Sequence, residues 1–160
     1  MANVLVIGSG AREHAIAATM LKSNQVENVY CAPGNPGMKK DAIQLVDIDE
    51  LDFAKLTAFA QRKAIDLTFV GPEVPLAMGI VDKFQAAGLR AFGPSQSSAR
   101  LESDKTFAKK FMMRNGIPTA QFKTFTDADA AENYARTLSL PVVVKENGLA
   151  AGKGVSIVRD

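Results

Sequence analysis

The sequence predicts an α/β protein: an open, doubly wound parallel sheet followed by the incomplete start of a second domain. Three observations carry that expectation. Short apolar runs at 4–7, 29–31 and 67–70 read as strands, and the first is rich in β-branched residues, as strands buried on both faces are. Helical patterns separate them, in the way crossover helices separate parallel strands. Each run stops at a glycine- or proline-bearing turn.

Taken in order, Val4-Leu5-Val6-Ile7 is the first strand, and Gly8-Ser9-Gly10 turns the chain into a helix from about Arg12 to Lys22. Val29-Tyr30-Cys31 is the second strand, broken by Pro33-Gly34-Asn35-Pro36-Gly37, with a short strand near Leu45-Val46. Asp52 is placed to cap a helix that carries Phe53, Leu56 and Phe59 on one face. Leu67-Thr68-Phe69-Val70 is another buried strand, ended by Gly71-Pro72. One helix then carries Leu76, Ile80 and Phe84 at four-residue spacing and stops at Gly88. Arg90-Ala91-Phe92 is a short strand ended by Gly93-Pro94.

After Pro94 the pattern changes. Two short helices are expected over 97–102 and 104–115, the second edged by Phe107 and Phe111 and ended by Gly116-Ile117-Pro118. A strand over 121–125 precedes a helix opened by Thr126, with Asp129 three residues on in a capping-box-like arrangement. Strands over 141–145 and 155–158 flank a glycine-rich loop at 148–154, which predicts a hairpin. The boundary is expected within 95–121, giving an amino-terminal domain over 1–104 and, over 105–160, a linker helix with the first part of a second domain. So few strands and helices bury too little surface for an independent fold, so this second domain reads as truncated at Arg159-Asp160.

Composition excludes several classes of function. The 160 residues are 47% hydrophobic and 22% charged, with a net charge of +2 and no Lys/Arg cluster, which argues against a nucleic-acid or membrane surface. The amino terminus does not resemble a signal peptide, and no apolar run approaches the ~20 residues that span a bilayer. A cytoplasmic protein is expected. The single cysteine, Cys31, reads as a buried, reduced thiol.

Three groups of residues carry candidate chemistry. Gly8-Ser9-Gly10-Ala11-Arg12-Glu13 places glycines and a helix start where a phosphate can approach backbone N–H groups. It departs from the dinucleotide fingerprint, because Glu13 occupies the third glycine position and the second strand ends without a ribose-binding carboxylate. Arg12 is better suited to clamp a phosphomonoester. The sole histidine, His14, reads as a packed or capping residue rather than a catalyst. The second group is the three loops after strands at 33–37, 71–73 and 93–95, since ligands bind at the carboxyl edge of parallel sheets. There Glu73 suits ribose hydroxyls or an amine, and Asn35 suits phosphate or sugar. The third is Lys145, at the end of an apolar strand where a charge is costly unless an anion faces it, with Gly148-Leu149-Ala150-Ala151-Gly152-Lys153-Gly154. Such a hairpin can fold over phosphates, although its spacing is not that of a Walker A loop.

Together, GSGAREHA at 8–15, APGNPG at 32–37, VGPEVPL at 70–76, FGP at 92–94, LESDKTFAKKFM at 101–112, GIPTA at 116–120 and VVKENGLAAGKGV at 143–155 resemble the glycinamide ribonucleotide synthetase family over essentially the whole chain. The resemblance implies a pre-ATP-grasp domain followed by an ATP-grasp domain. It also implies an ATP-dependent ligation of phosphoribosylamine and glycine through a glycyl phosphate, in purine synthesis. By motif, Gly10, Arg12, Glu13, Asn35 and Glu73 would line the phosphoribosylamine side. Lys105, Lys145, Gly148, Leu149, Gly152, Lys153 and Gly154 would hold ATP, with Mg2+ (or Mn2+) bridging its phosphates. No protein nucleophile is implied, and the metal ligands are expected past residue 160. Two departures stand out: Ala11 where glycine is common, and Glu146-Asn147 where Ala-Asp is common. The alternatives are another ATP-grasp carboxylate-amine ligase, a non-catalytic nucleotide-binding module, and a dinucleotide-dependent oxidoreductase, the last disfavoured by Glu13.

Overall fold

The computed structural model describes residues 1–150 and 152–159; Ala151 of the expected glycine-rich loop and Asp160 lie outside the described residues. The chain forms two compact units, Met1–Ala99 and Arg100–Asp160.

In the first unit the strands are β1 (Ala2–Gly8), β2 (Val26–Pro33), β3 (Gln44–Leu45), β4 (Leu67–Val70) and β5 (Ala91–Phe92). They form one parallel sheet in the order β3-β2-β1-β4-β5. Around it lie α1 (Ala11–Met20), α2 (Phe53–Arg62), α3 (Glu73–Ala77) and α4 (Ile80–Ala86). Side chains alternate across a strand, so β1 feeds two cores. Leu5 and Ile7 pack with Tyr30, Leu56, Phe59, Ile80 and Phe84 on one face. Val6 packs with Ala17, Val29, Cys31, Met38 and Ile43 on the other. That two-sided burial is why the strands read as unbroken apolar runs. Tyr30 and Phe59 meet edge to face, 5.4 Å between ring centroids at 77°.

Asp52 caps α2, its Oδ1 accepting from Lys55 N at 3.1 Å. The single helix expected between Pro72 and Gly88 is instead two. Gly79 sits at φ +86°, a left-handed conformation that breaks the hydrogen-bond ladder between α3 and α4. The four-residue spacing still marks the inner side, with Ile80 and Phe84 buried and Leu76 packed against the same core.

Helix α5 (Gln96–Ser103) runs across the boundary; in the second unit lie α6 (Lys105–Arg114), α7 (Ala128–Ala135) and the antiparallel hairpin of β6 (Val142–Lys145) and β7 (Val155–Val158). Lys145 pairs with Val155, so the hairpin is the expected one. Two expectations are corrected. Residues 121–125 are not a strand: no described backbone pairs with them, and Phe125 packs on Tyr134 with ring centroids 5.4 Å apart. The cap of α7 is Asp127, not Thr126, since Asp127 Oδ2 accepts from Ala130 N at 2.7 Å and aspartate is the stronger acceptor.

Candidate functional site

The strand order reverses between β1 and β4, because the chain fills one side of β1 with β2 and β3 before crossing to β4. In parallel sheets this reversal opens a crevice at the carboxyl ends of the strands. The β1–α1 turn stands there, with the 33–37 loop on one side and the 71–73 loop on the other. Gly34 N donates to Gly8 O at 3.1 Å, and Gly71 N to Ile7 O at 3.1 Å. The third expected loop, at 93–95, follows β5 and lies one strand further out. Its Ser95 Oγ bonds to Ser97 and Ser98 at 3.0 and 3.1 Å.

Glu13 is the centre of the turn. It is 3% exposed, and its Oε2 accepts from Gly10 N at 2.8 Å, closing one orphan donor at the start of α1. Its seat exists only because three neighbours lack side chains. A Cβ would lie 2.6 Å from Glu13 Cγ at Gly8, 2.7 Å from Oε2 at Gly10, and 2.3 Å from Oε1 at Gly71. Gly8 and Gly10, expected to admit a phosphate, here make room with Gly71 for a carboxylate. Glu13 Oε1 has no hydrogen-bond partner among the described residues. Its nearest cation is Arg12, with Nε 4.0 Å away.

Arg12 reaches across the crevice, its Nη2 3.4 Å from Glu73 Oε2. Its side chain is 74% exposed, so the pair is worth about 0–1 kcal/mol and opens easily for a competing anion. Asn35 joins the second loop to the turn: Oδ1 accepts from Gly37 N at 2.9 Å, and Nδ2 donates to Ser9 O at 2.8 Å. The 3-10 turn that continues this loop, Pro36–Asp41, is tied to α1 by His14, whose Nε2 lies 2.6 Å from Asp41 Oδ2. Five residues singled out in the sequence (Gly10, Arg12, Glu13, Asn35 and Glu73) therefore meet at one place.

The crevice is rich in carboxylates. Glu50, on the chain after β3, has its carboxyl raised by burial first and then by the charges of Asp49, Glu13 and Glu73. Beneath the turn, Cys31 Sγ donates to Gly8 O at 3.3 Å. Burial, and secondarily the Glu13 charge, push that thiol up to about 12, partly opposed by a hydrogen bond from Ala32 backbone. Carboxylates with one arginine suit a ligand that offers hydroxyls or an amine alongside a phosphate.

In the second unit Lys105 Nζ donates to Gly148 O. Asn147 lies beside it: Oδ1 accepts from Thr106 N at 3.1 Å, and Nδ2 donates to Asp104 Oδ1 at 3.3 Å. The hairpin closes through Glu146 N to Gly154 O at 2.8 Å, and Lys153 N reaches Ala150 O at 2.8 Å. Gly148 and Gly152 have φ of +92° and +76° with open space around them, so backbone conformation is what calls for glycine there. Lys145 needs a correction. Its strand is not buried, with Val143 50% and Val144 51% exposed, and Lys145 itself is exposed. The expected cost of a charge in an apolar strand therefore does not arise.

Sequence reasoning missed Glu50, Asp41, the capping role of Asp104 and the role of Asn147. Asp104 carried a legible signal, an aspartate directly before a helix. The others carried none, because each matters through a partner distant in sequence. Among the described residues, no three of His, Cys, Asp or Glu are grouped to hold a metal ion.

The phosphoribosylglycinamide synthetase N-domain family model matches residues 2–102, and the ATP-grasp (A) domain model of the same synthetase matches 103–160. This chain belongs to the phosphoribosylglycinamide synthetase family. Similar members include the phosphoribosylamine–glycine ligase of Listeria monocytogenes serotype 4b (strain F2365), 55% identical over 155 residues. That of Lactococcus lactis subsp. lactis (strain IL1403) is 52% identical over 157. These alignments cover 97% and 98% of this chain but only 37% and 38% of the two ligases. The crystal structure of phosphoribosylamine–glycine ligase from Thermotoga maritima is similar with a TM-score of 0.72 and 31% identity, covering 99% of this chain and 36% of that one. N5-carboxyaminoimidazole ribonucleotide synthetase from Thermotoga maritima shares the fold, with a TM-score of 0.71 at 22% identity and coverage of 100% of this chain and 41% of that one. The synthetase family thus accounts for both units, and this chain spans just over a third of the ligases it matches.

Proposed function

We propose that this chain serves an ATP-dependent ligase that joins phosphoribosylamine to glycine, giving glycinamide ribonucleotide, ADP and phosphate in purine synthesis. A glycine carboxylate oxygen attacks the γ-phosphorus of ATP and ADP leaves, forming glycyl phosphate. The amine of phosphoribosylamine then attacks the acyl carbon, loses a proton, and expels phosphate. Such a sequence needs positioning and charge neutralisation more than a protein nucleophile.

In this reading, residues 1–104 form the pre-ATP-grasp domain and 105–160 begin the ATP-grasp domain. Gly10, Arg12, Glu13, Asn35 and Glu73 line the phosphoribosylamine pocket: Arg12 exchanges Glu73 for the 5′-phosphate, and the released carboxylate accepts hydrogen bonds from ribose hydroxyls or the amine. Lys105, Lys145 and the turn Gly148, Leu149, Gly152, Lys153 and Gly154 hold ATP. A divalent ion, Mg2+ or Mn2+, belongs to this chemistry as a counter-charge on the phosphates. The described residues supply no ligand set for it, so no step is assigned to it. A cytoplasmic setting accords with the buried, unpaired Cys31. The observation that carries the reading is the meeting of Arg12, Glu13, Asn35 and Glu73 at the sheet's switch point, in a chain whose homologues are named as this ligase.

The test is phosphate release from ATP by a full-length ligase carrying these 160 residues. Release should require both glycine and phosphoribosylamine. Release that ignores either one rejects the proposal.

A further inference from the structure

We infer that Asn147 is a positioning residue, a latch that docks the base of the glycine-rich turn onto the first turn of α6. The first N–H groups of any helix have no partner inside it. At α6, Asp104 Oδ1 takes Phe107 N at 2.9 Å, the ordinary capping bond. Thr106 N is taken by Asn147 Oδ1, 41 residues further along the chain. The other half of the Asn147 amide is also engaged, since Nδ2 donates to Asp104 Oδ1, the oxygen already capping the helix. Asp104 Oδ2 is held in turn by Arg100 Nη2 at 3.2 Å. These hydrogen bonds and that with Phe107 N keep the Asp104 carboxyl below its ordinary range, the Phe107 bond contributing most.

The Asn147 amide supplies both kinds of bond that this position makes. It accepts from a backbone N–H and donates to a carboxylate at once. Aspartate, which resemblance to the family leads one to expect here, keeps the acceptor but loses the donor, and it sets a second carboxylate against Asp104. Alanine loses both. Lys105 sits inside the latch, between Asp104 and Thr106, and donates to the next residue of the turn, Gly148 O. The latch therefore fixes the base of the turn and the lysine ammonium together. On the reading that this turn and Lys105 hold ATP, Asn147 sets the lysine where a phosphate would exchange with the Gly148 carbonyl.

The test uses N147A and N147D in a full-length ligase carrying these residues, read by amide hydrogen exchange and by steady-state kinetics with ATP. N147A should speed exchange at Thr106 about three- to tenfold, the loss of one net hydrogen bond. It should raise the KM for ATP by a similar factor, with kcat changed less than about twofold. N147D should retain protection at Thr106, because its acceptor remains, and should lose protection in the turn itself. Unchanged Thr106 exchange in N147A overturns the latch. Faster exchange with an unchanged KM for ATP upholds the latch and instead removes the turn from the ATP site.

Discussion

Glu13 has a carboxylate almost fully out of water, on a helical turn where acidic side chains are ordinarily solvated. Burying such a group is costly unless its oxygens are bonded, and among the described residues only one of them is. Its seat depends on Gly8, Gly10 and Gly71. Gly71→Ala puts a methyl 2.3 Å from Glu13 Oε1 and should destabilise the first unit by about 1–3 kcal/mol in denaturant unfolding. In a Glu13→Ala background the same substitution should cost far less, and an undiminished cost would show that Gly71 matters for another reason. Cys31 gives a pH signature. Its folded thiol titrates near 12, above the ordinary 9.0, so the unfolded chain loses its proton first. Stability is therefore complete below pH 9 and declines from there toward 12, by up to about 1.4 kcal/mol per pH unit. Unfolding free energies of Cys31→Ala should lack that part of the slope.

At the scale of elements, the strands β1, β2 and β4 were legible because burial on both faces forces continuous apolar runs, and the Asp52 cap because a side-chain acceptor precedes an amphipathic pattern. The break between α3 and α4 was not legible. Leu76, Ile80 and Phe84 keep a helical spacing across it, and nothing local distinguishes Gly79 in a left-handed break from a glycine tolerated in a helix. The Gln96 side chain packs there, with Nε2 donating to Ala77 O at 3.2 Å, and that neighbour is 17 residues away from Gly79. Gly79→Ala should cost about 1–2 kcal/mol from the left-handed backbone alone, measured as a shift in the denaturation midpoint. A neutral or stabilising result would mean the two helices join without penalty. The expected strand at 121–125 failed for a related reason: β-propensity describes a fit to neighbours on a sheet, and no described strand lies beside those residues.

Across the whole molecule, the candidate site was legible as residue types and illegible as geometry. Arg12, Asn35 and Glu73 stood out because they follow strands whose carboxyl ends must share an edge. That Arg12 pairs with Glu73, that Asn35 holds Ser9, and that Glu50 adds to the same negative field are facts of strand order, which spacing does not encode. In the second unit the glycine pattern announced a hairpin, while the engagement of Lys105 by Gly148 depended on a contact across 43 residues. The hairpin strands are largely exposed in these 160 residues.

On the proposed function the two units divide the labour, with the sugar phosphate on the first and the nucleotide on the second. Crossed kinetics of Arg12→Ala and Lys145→Ala in a full-length ligase carrying these residues tests this division most directly. Arg12→Ala should raise the KM for phosphoribosylamine well above any change for ATP. Lys145→Ala should cut ATP-dependent turnover at least about tenfold, as for loss of a charge-assisted bond of ~1.5–3 kcal/mol. Equal effects of Arg12→Ala on both substrates, or unchanged kinetics in Lys145→Ala, would contradict the account.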